Sequence, residues 1–121
     1  NVDAVRSWVA SGADINVVDE DGDTPLMSAS QHLHSECVAE MLRLGADARR
    51  VNNDGRTALH WVVLAVDRGG DVVGVVRQLV AAGCDAAVRN NRGRTAVEWA
   101  RTFDETEGAT DFEGWVAAAM A

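Results

Sequence analysis

Two short motifs recur along this chain in one register, and their periodicity constrains the fold more than any other feature of the sequence. One motif, Gly-Ala-Asp or Gly-Cys-Asp, begins at Gly12, Gly45 and Gly83. The other is a threonine that opens an apolar segment, at Thr24, Thr57 and Thr95. Both sets are separated by 33 and then 38 residues, and a glycine lies two residues before each threonine. A fixed period of about 20 to 50 residues predicts a stack of similar units rather than one irregular core.

Each motif has a local structural meaning. A threonine side chain can accept a backbone N–H at the start of a helix, and Pro25 suits the first helical position after Thr24. We therefore expect a helix to begin at each threonine. A second helix is expected to end at Gly45, because glycine suits the residue that ends a helix and apolar residues precede it at helical spacing, namely Cys37, Val38, Met41 and Leu42. The glycine-containing segments before the threonines favour tight, projecting turns.

Residues 21 to 29, together with Gly45-Ala46-Asp47, resemble the ankyrin repeat, a family whose unit is a turn followed by two antiparallel helices. His34 lies where the family often has a Gly-His pair, and the segment from Asp54 to His60 keeps the motif histidine. The resemblance extends over roughly residues 1 to 103. It implies an all-α fold, an ankyrin-repeat solenoid of stacked helix-turn-helix units with projecting hairpin-like turns.

We expect residues 1–121 to form a single ankyrin-repeat domain. Its expected parts are a partial repeat at 1–14, a repeat at 15–47, a repeat at 48–85 with an insertion near 66–71, and a C-terminal capping repeat at 86–121. The insertion adds five residues between two helices, where extra loop length costs little. In the last unit Glu98 replaces the motif histidine, and we expect a final helix near Asp111 to Ala119 that covers the end of the stack.

The first unit is incomplete in this sequence. Val2, Val5, Trp8 and Val9 already follow the spacing of a second helix, so the turn and first helix of the unit are lacking. We expect Trp8 to lie in the core of this unit and Trp115 in the C-terminal cap. The chain begins at Asn1 rather than at Met, which leaves open that it is a piece of a longer protein.

Composition limits the possible functions. The net charge is -8 at pH 7, whereas a general nucleic-acid or membrane-surface binder needs a basic surface. No apolar stretch approaches the roughly 20 residues that a membrane helix needs. Cys37 and Cys84 are too few and too far apart for a disulfide framework, so we expect reduced thiols that pack as small hydrophobic residues. We expect an intracellular protein, cytoplasmic or nuclear, that is monomeric and needs no cofactor.

Neither catalysis nor metal binding is expected. The residues that most suggest a metal site are His32, His34, Cys37 and His60, but the His-x-His-x-x-Cys spacing is not a usual structural zinc pattern. The resemblance implies that His34 and His60 instead form hydrogen bonds to the backbone of neighbouring loops. The sequence shows no context for an activated nucleophile and no phosphate-binding glycine loop before a helix.

The resemblance also implies a binding surface. In ankyrin-like stacks the turn tips and the exposed side of each first helix line a concave groove, where partners usually bind. In the first complete unit the expected partner-binding residues are Glu20, Asp21, Asp23, Gln31 and His32. In the next two units they are Asn53, Asp54, Arg56, Trp61, Leu64, Asn91, Arg92, Arg94, Trp99 and Thr102. The expected partner is a peptide or protein, and the sequence does not identify it.

Charge and aromatic residues give this surface its character. The first complete turn is acidic, with Asp19, Glu20, Asp21 and Asp23, and the last turn is basic, with Arg89, Arg92 and Arg94. Aligned turns would therefore polarise the groove from end to end, unless these charges are simply solvated. Trp61 and Trp99 each lie four residues after their threonine, so they share a face and serve either helix packing or partner anchoring.

Two alternatives to a protein-interaction scaffold stay open. Trp61 or Trp99 could stack on a base while Arg56 or Arg94 contacts a phosphate, which would make the surface a nucleotide or single-stranded nucleic-acid site. The acidic net charge argues against this alternative. The stack could also be the targeting arm of a larger multidomain enzyme.

Overall fold

The computed structural model describes residues 2–65, 71–102 and 108–120. Its helices are α1 (Val2–Ala10), α2 (Pro25–Gln31), α3 (Ser35–Arg43), α4 (Ala58–Val63), α5 (Val72–Ala81), α6 (Ala96–Arg101) and α7 (Gly108–Met120). Every regular element within these ranges is a helix, which confirms the all-α expectation. None of the described helices combines the length and the apolar character that crossing a membrane requires.

The helices form two rows. The first helices of successive units, α2, α4 and α6, pack side by side, and the second helices α1, α3, α5 and α7 form the other row. Within the units the rows are joined where α2 packs on α3, α4 on α5 and α6 on α7. The largest fully buried side chains include Leu26, Met27, Leu59, Leu79 and Phe112. Burial of a large apolar side chain stabilises a fold by about 1.5–3 kcal/mol, so packing between neighbouring units holds the stack together.

The first helices begin as predicted, at Thr24, Thr57 and Thr95. Each threonine hydroxyl accepts the backbone N–H of the third helical residue, and that residue's side chain accepts the threonine N–H in return. The returning acceptor differs from unit to unit: it is the sulfur of Met27, Nδ1 of His60 and Oε1 of Glu98. The replacement of the motif histidine by Glu98 therefore preserves the helix start.

The segments before these helices form the predicted hairpin-like turns. In each turn the first residue donates its N–H to the carbonyl of the fifth at 2.9 to 3.1 Å, in the pairs Asp19–Asp23, Asn52–Arg56 and Asn90–Arg94. Neighbouring turns are also joined, because the N–H of Asn53 donates to the Asp21 carbonyl at 2.9 Å. The N–H of Asn91 donates to the Asp54 carbonyl at 2.8 Å. The turn tips are therefore held in line by backbone hydrogen bonds.

An ion-pair cluster joins α1 to α3. The side chain of Glu40 on α3 is 8% exposed, and Nε of Arg6 on α1 donates to it at 3.0 Å. Arg43, one turn further along α3, donates to the same carboxylate. These hydrogen bonds, from Arg43 and then Arg6, lower the pKa of Glu40 to about 2. The cluster attaches α1 to the rest of the stack.

The expectation that Trp8 lies in the core is wrong, since its side chain is 39% exposed. α1 packs against α3 and contains no buried residue, while Val2, Val5 and Val9 are half-buried on the core side. Among the described residues α1 packs chiefly on α3, whereas α3, α5 and α7 also pack on the first helices α2, α4 and α6. Trp8 is therefore exposed on a helix that lacks the close packing on a first helix seen in the later second helices.

The C-terminal helix is longer than expected, because α7 already begins at Gly108. Phe112 and Val116 on α7 are fully or almost fully buried, and Trp115 packs half-buried against the same core. The inserted segment near 66–71 lies largely outside the described residues, as does the connection at 103–107. Of the insertion, Asp71 is described: its carboxylate caps α5 by accepting the Gly74 N–H at 2.9 Å.

Leu33 makes the bend between α2 and α3. Its φ of 55° lies in the left-handed region, at the place where the ankyrin pattern often has glycine. For a residue with a Cβ this conformation costs roughly 1–2 kcal/mol. The leucine side chain is only 7% exposed, so its burial offsets a cost that glycine would avoid.

Candidate functional site

An acidic, partly apolar cavity lies at the N-terminal end of the row of first helices. Its volume is about 530 Å³, and it is lined by Trp8, Val17, Val18, Asp19, Asp23, Thr24, Pro25, Ser28, Gln31 and Trp61. Val17 and Val18 are 46% and 50% exposed. The cavity therefore combines exposed apolar surface with two carboxylates, and we call it the acidic cavity.

Three carboxylates gather beside this cavity. One oxygen from each of Asp19, Asp21 and Asp23 lies within 4.8 Å of the others. Turn formation accounts for the arrangement, because Asp19 Oδ1 accepts the N–H groups of Asp21 and Asp23, each at 2.9 Å. Asp23 Oδ1 in turn accepts a hydrogen bond from Nδ2 of Asn52 at 2.8 Å. The cluster thus shapes the turn and gives this end of the groove its negative charge.

The histidines and Cys37 do not converge on one point. His32 and His34 are exposed and their ring centroids are 5.7 Å apart, whereas His60 is buried beside Trp99 in another part of the stack. Cys37 and Cys84 are buried at 7% and 4% exposure and pack in the core, as predicted for small hydrophobic residues. Burial raises the pKa of the Cys84 thiol, which disfavours its reactive thiolate form.

His60 has a structural role, as the resemblance implies. Its Nδ1 accepts the Thr57 N–H at 3.1 Å, so Nε2 carries the proton and donates to the Arg94 carbonyl at 3.0 Å. Burial lowers the pKa of His60 below 6.5, which favours the neutral ring. The histidine therefore attaches the start of α4 to the next turn. The same expectation fails for His34, whose exposed ring contacts His32.

Arg56 and two tryptophans occupy the middle of the groove. The guanidinium carbon of Arg56 lies 4.7 Å from the ring centroid of Trp99 and 5.4 Å from that of Trp61. Both distances are within the range of a cation–π interaction. Trp99 is only 9% exposed, so most of its surface is used in packing, while Trp61 is half-buried and lines the acidic cavity.

A second cavity is partly lined by this cluster and lies between the turns of the last two units. Its volume is about 360 Å³, and it is lined by Asp54, Arg56, Asn90, Asn91, Arg92, Arg94, Trp99 and Thr102. Three arginines face one aspartate, so this basic cavity carries a net positive charge although the whole chain has a charge of -8. Arg89 of the same turn contributes less, because it is paired with Glu98 at 2.7 Å.

The structure brings most of the predicted partner-binding residues into two groups. Asp23, Gln31 and Trp61 line the acidic cavity. Arg56, Asn91, Arg92, Arg94 and Trp99, with Asp54 and Thr102, line the basic cavity. The remaining predicted residues line neither cavity, namely Glu20, Asp21, His32, Asn53 and Leu64. Of these, Asn53 joins the two turns, since its Nδ2 donates to the Glu20 carbonyl at 3.0 Å.

Sequence reasoning did not assign several lining residues to the binding surface, namely Trp8, Val17, Val18, Thr24, Pro25, Ser28 and Asn90. The spacing of α1 predicts Trp8 in the core, and the two valines precede the acidic turn without helical or strand periodicity. Asn90 occupies the first position of its turn, where Asp19 and Asn52 stand in the other units. Of these equivalent residues Asp19 lines the acidic cavity and Asn52 lines neither cavity, so turn position alone does not identify Asn90 as a site residue.

Comparison with known proteins agrees with these features. A family model described as ankyrin repeats (3 copies) matches residues 1–73. The protein lin-12 of Caenorhabditis elegans is 37% identical over 68 residues, which is 56% of this chain and 5% of that protein. The neurogenic locus Notch protein of Drosophila melanogaster is 34% identical over 77 residues, which is 63% of this chain and 3% of that protein.

A third relative is the ankyrin repeat and LEM domain-containing protein 1 homolog of Caenorhabditis elegans, 40% identical over 58 residues, or 48% of this chain and 8% of that protein. The chain thus spans only a small part of each of these relatives. The family model covers more than half of the chain, and it agrees with the capped helices and the aligned turns. This chain therefore belongs to the ankyrin-repeat family.

Proposed function

We propose that the chain is a non-catalytic interaction module that binds a peptide or protein partner along the groove formed by its turn tips and first helices. Ankyrin repeats are generally protein–protein interaction modules. The observation that carries the proposal is the difference between the two ends of the groove. One end is an acidic cavity with exposed apolar walls, and the other is a basic cavity.

A polypeptide suits such a surface better than a uniformly charged ligand. A peptide can present apolar and basic side chains to the acidic cavity and acidic groups to the basic cavity, and the opposite charges would set its orientation. The apolar contribution comes from Val17, Val18 and Trp8, since burial of exposed apolar surface favours association. Of the central cluster, Trp61 lines the acidic cavity, and Arg56 and Trp99 line the basic cavity.

The nucleic-acid alternative has weaker support. A base would need a free aromatic face, but Arg56 lies over both Trp61 and Trp99, and Trp99 is 9% exposed. A strand that continued along the groove would also meet the carboxylates of Asp19 and Asp23. The alternative of a targeting arm in a larger enzyme is compatible with partner binding in the same groove.

Reversal of charge in the basic cavity tests the proposal. The Arg92→Glu and Arg94→Glu double variant should capture clearly less partner from an extract of the source cell, because both side chains are exposed and line the cavity. Captured proteins are identified and quantified by mass spectrometry. Thermal unfolding of the variant should be close to that of the wild type, since the turn hydrogen bonds of these residues involve the backbone.

A matched control separates the groove from net charge. Arg49→Glu combined with Arg77→Glu changes the net charge by the same amount, and neither residue lines either cavity. This control should capture the partner as the wild type does. The proposal of groove binding would be contradicted if the Arg92 and Arg94 double variant captured as much partner as the wild type. It would also be contradicted if the control lost as much capture as that variant.

A further inference from the structure

The two junctions between neighbouring turns differ in one hydrogen bond, and this difference concerns the basic cavity. Where the first two turns meet, Nδ2 of Asn52 donates to the carboxylate of Asp23 at 2.8 Å. Where the next two turns meet, Asn90 takes the place of Asn52, and Arg56 takes the place of Asp23. The second junction therefore has the amide donor but lacks the carboxylate that accepts from it.

The side chain of Asn90 is oriented by the turn itself. Its Oδ1 accepts the N–H groups of Arg92 and Arg94 at 3.0 and 3.1 Å, just as the Asn52 Oδ1 accepts from Asp54 and Arg56. With Oδ1 so engaged, Nδ2 is left as a donor, and it has no acceptor among the described residues. Asn90 is 8% exposed and lines the basic cavity, so its Nδ2 can donate to a group that enters this cavity.

The charges around this donor favour an anion. Arg56, Arg92 and Arg94 line the same cavity, and none has a carboxylate within ion-pair distance in the part of the chain that the structure describes. Arg56 is held in place by the two tryptophan rings beneath its guanidinium group. Guanidinium groups and an amide N–H together suit an oxyanion, which accepts several charge-assisted hydrogen bonds.

We infer that the basic cavity binds an oxyanion carried by a partner peptide, a carboxylate or a phosphoryl group, which accepts from Asn90 Nδ2 and pairs with the three arginines. This inference rests on the proposed function, because the oxyanion belongs to a peptide in the groove. It takes the position that the Asp23 carboxylate fills at the preceding junction. A peptide is favoured over a nucleic-acid strand because the acidic cavity lies on the same groove.

The test is a nuclear magnetic resonance titration of the 121-residue chain, following the side-chain amide of Asn90 and the backbone amides of Arg92 and Arg94. The probes are extended peptides that are identical except for the central residue, which is glutamate, glutamine, phosphoserine or serine. A short oligothymidylate is the nucleic-acid probe. The glutamate or the phosphoserine peptide should shift these signals to saturation, and which of them binds more tightly identifies the oxyanion. The glutamine and serine peptides should not shift them.

Two variants make the test specific. Asn90→Asp removes the donor, adds a negative charge and keeps the turn, because Asp19 accepts the same two backbone N–H groups in the first turn. It should weaken binding of the charged peptide by about tenfold or more. Arg92→Gln, on an exposed residue, should also weaken binding, while Arg77→Gln on α5 has the same change in charge and should not.

The inference is overturned if neither charged peptide binds, or if Asn90→Asp and Arg92→Gln bind as the wild type does. Tighter binding of oligothymidylate than of either peptide, with the same shifts, would overturn the assignment to a peptide. Partner contacts elsewhere in the groove are measured separately by crosslinking from Gln31. If a partner crosslinks at Gln31 but no charged peptide binds the basic cavity, this inference alone is overturned. If no partner crosslinks at Gln31, that result counts against the proposed function.

Discussion

Gly22 and Gly93 occupy the same place in two turns, but their surroundings differ. Their φ values are 78° and 76°, a conformation that strains any residue with a Cβ. A Cβ on Gly22 would lie 2.9 Å from the backbone nitrogen of Asn53, in the next turn. A Cβ on Gly93 would have no atom within 4 Å. Gly22 is therefore required both by its backbone conformation and by the close approach of Asn53. Gly93 is required by its backbone conformation alone.

Alanine substitution at these positions should separate the two effects. Gly93→Ala should lower the free energy of unfolding by about 1 kcal/mol, through backbone strain alone. Gly22→Ala should lower it by at least about 2 kcal/mol, because the two turns must also move apart. Urea unfolding followed by circular dichroism measures both values. Equal losses would mean that contact between the turns adds nothing to stability.

His60 gives a prediction for pH dependence. Its pKa is lowered by burial, so the unfolded chain, with the ordinary value of 6.5, binds the proton more readily than the folded chain. The stability that this histidine contributes is present above pH 6.5 and is lost as the pH falls through the pKa of the folded state. Nuclear magnetic resonance of the imidazole should show a neutral ring protonated at Nε2 that titrates below pH 6.5. Titration at or above 6.5 would contradict the buried hydrogen-bonded geometry.

At the scale of elements, the attachment of α1 depends on Glu40. Its pKa of about 2 in the folded chain lies below the ordinary value of 4.5, so the ion pairs stabilise the fold above pH 4.5. This stabilisation is lost as the pH falls toward 2. Glu40→Gln should therefore be less stable than the wild type at neutral pH, and the difference should shrink in acid.

Urea unfolding at a series of pH values measures this convergence. Glu36→Gln is the matched control, because Glu36 is exposed on the same helix and forms no ion pair with a described residue. The control should leave the pH dependence between 4.5 and 2 close to that of the wild type. The free energies of unfolding of Glu40→Gln and the wild type should converge across this pH range. A constant difference between them would mean that the ion pairs do not act through the Glu40 charge.

The sequence predicted the elements better than the site. Helix starts at Thr24, Thr57 and Thr95 and the glycine turns depend on residues close in the chain, so local chemistry was sufficient. Exposure of Trp8 depends on which helices cover α1, and the orientation of Asn90 depends on the meeting of two turns. Neither property can be read from periodicity. The position of Trp99 in the sequence is compatible with helix packing or with partner binding, and its 9% exposure favours packing.

At the scale of the whole molecule, alignment of the turns converts local charge into a polarised surface. Backbone hydrogen bonds from Asn53 to Asp21 and from Asn91 to Asp54 hold the turn tips in register. The acidic first turn and the basic last turn consequently lie at opposite ends of one row of helices. A partner that spans the row meets both charges, which favours one orientation over the other.

Site-specific photocrosslinking tests the central claim, binding along the groove, most directly. A benzophenone amino acid is placed at Gln31 in the acidic cavity, at Thr102 in the basic cavity, or at Arg77 on α5 outside both. Irradiation in an extract of the source cell, followed by mass spectrometry, should yield the same partner from Gln31 and Thr102 and none from Arg77. A partner crosslinked from Arg77 and from neither groove position would contradict the account.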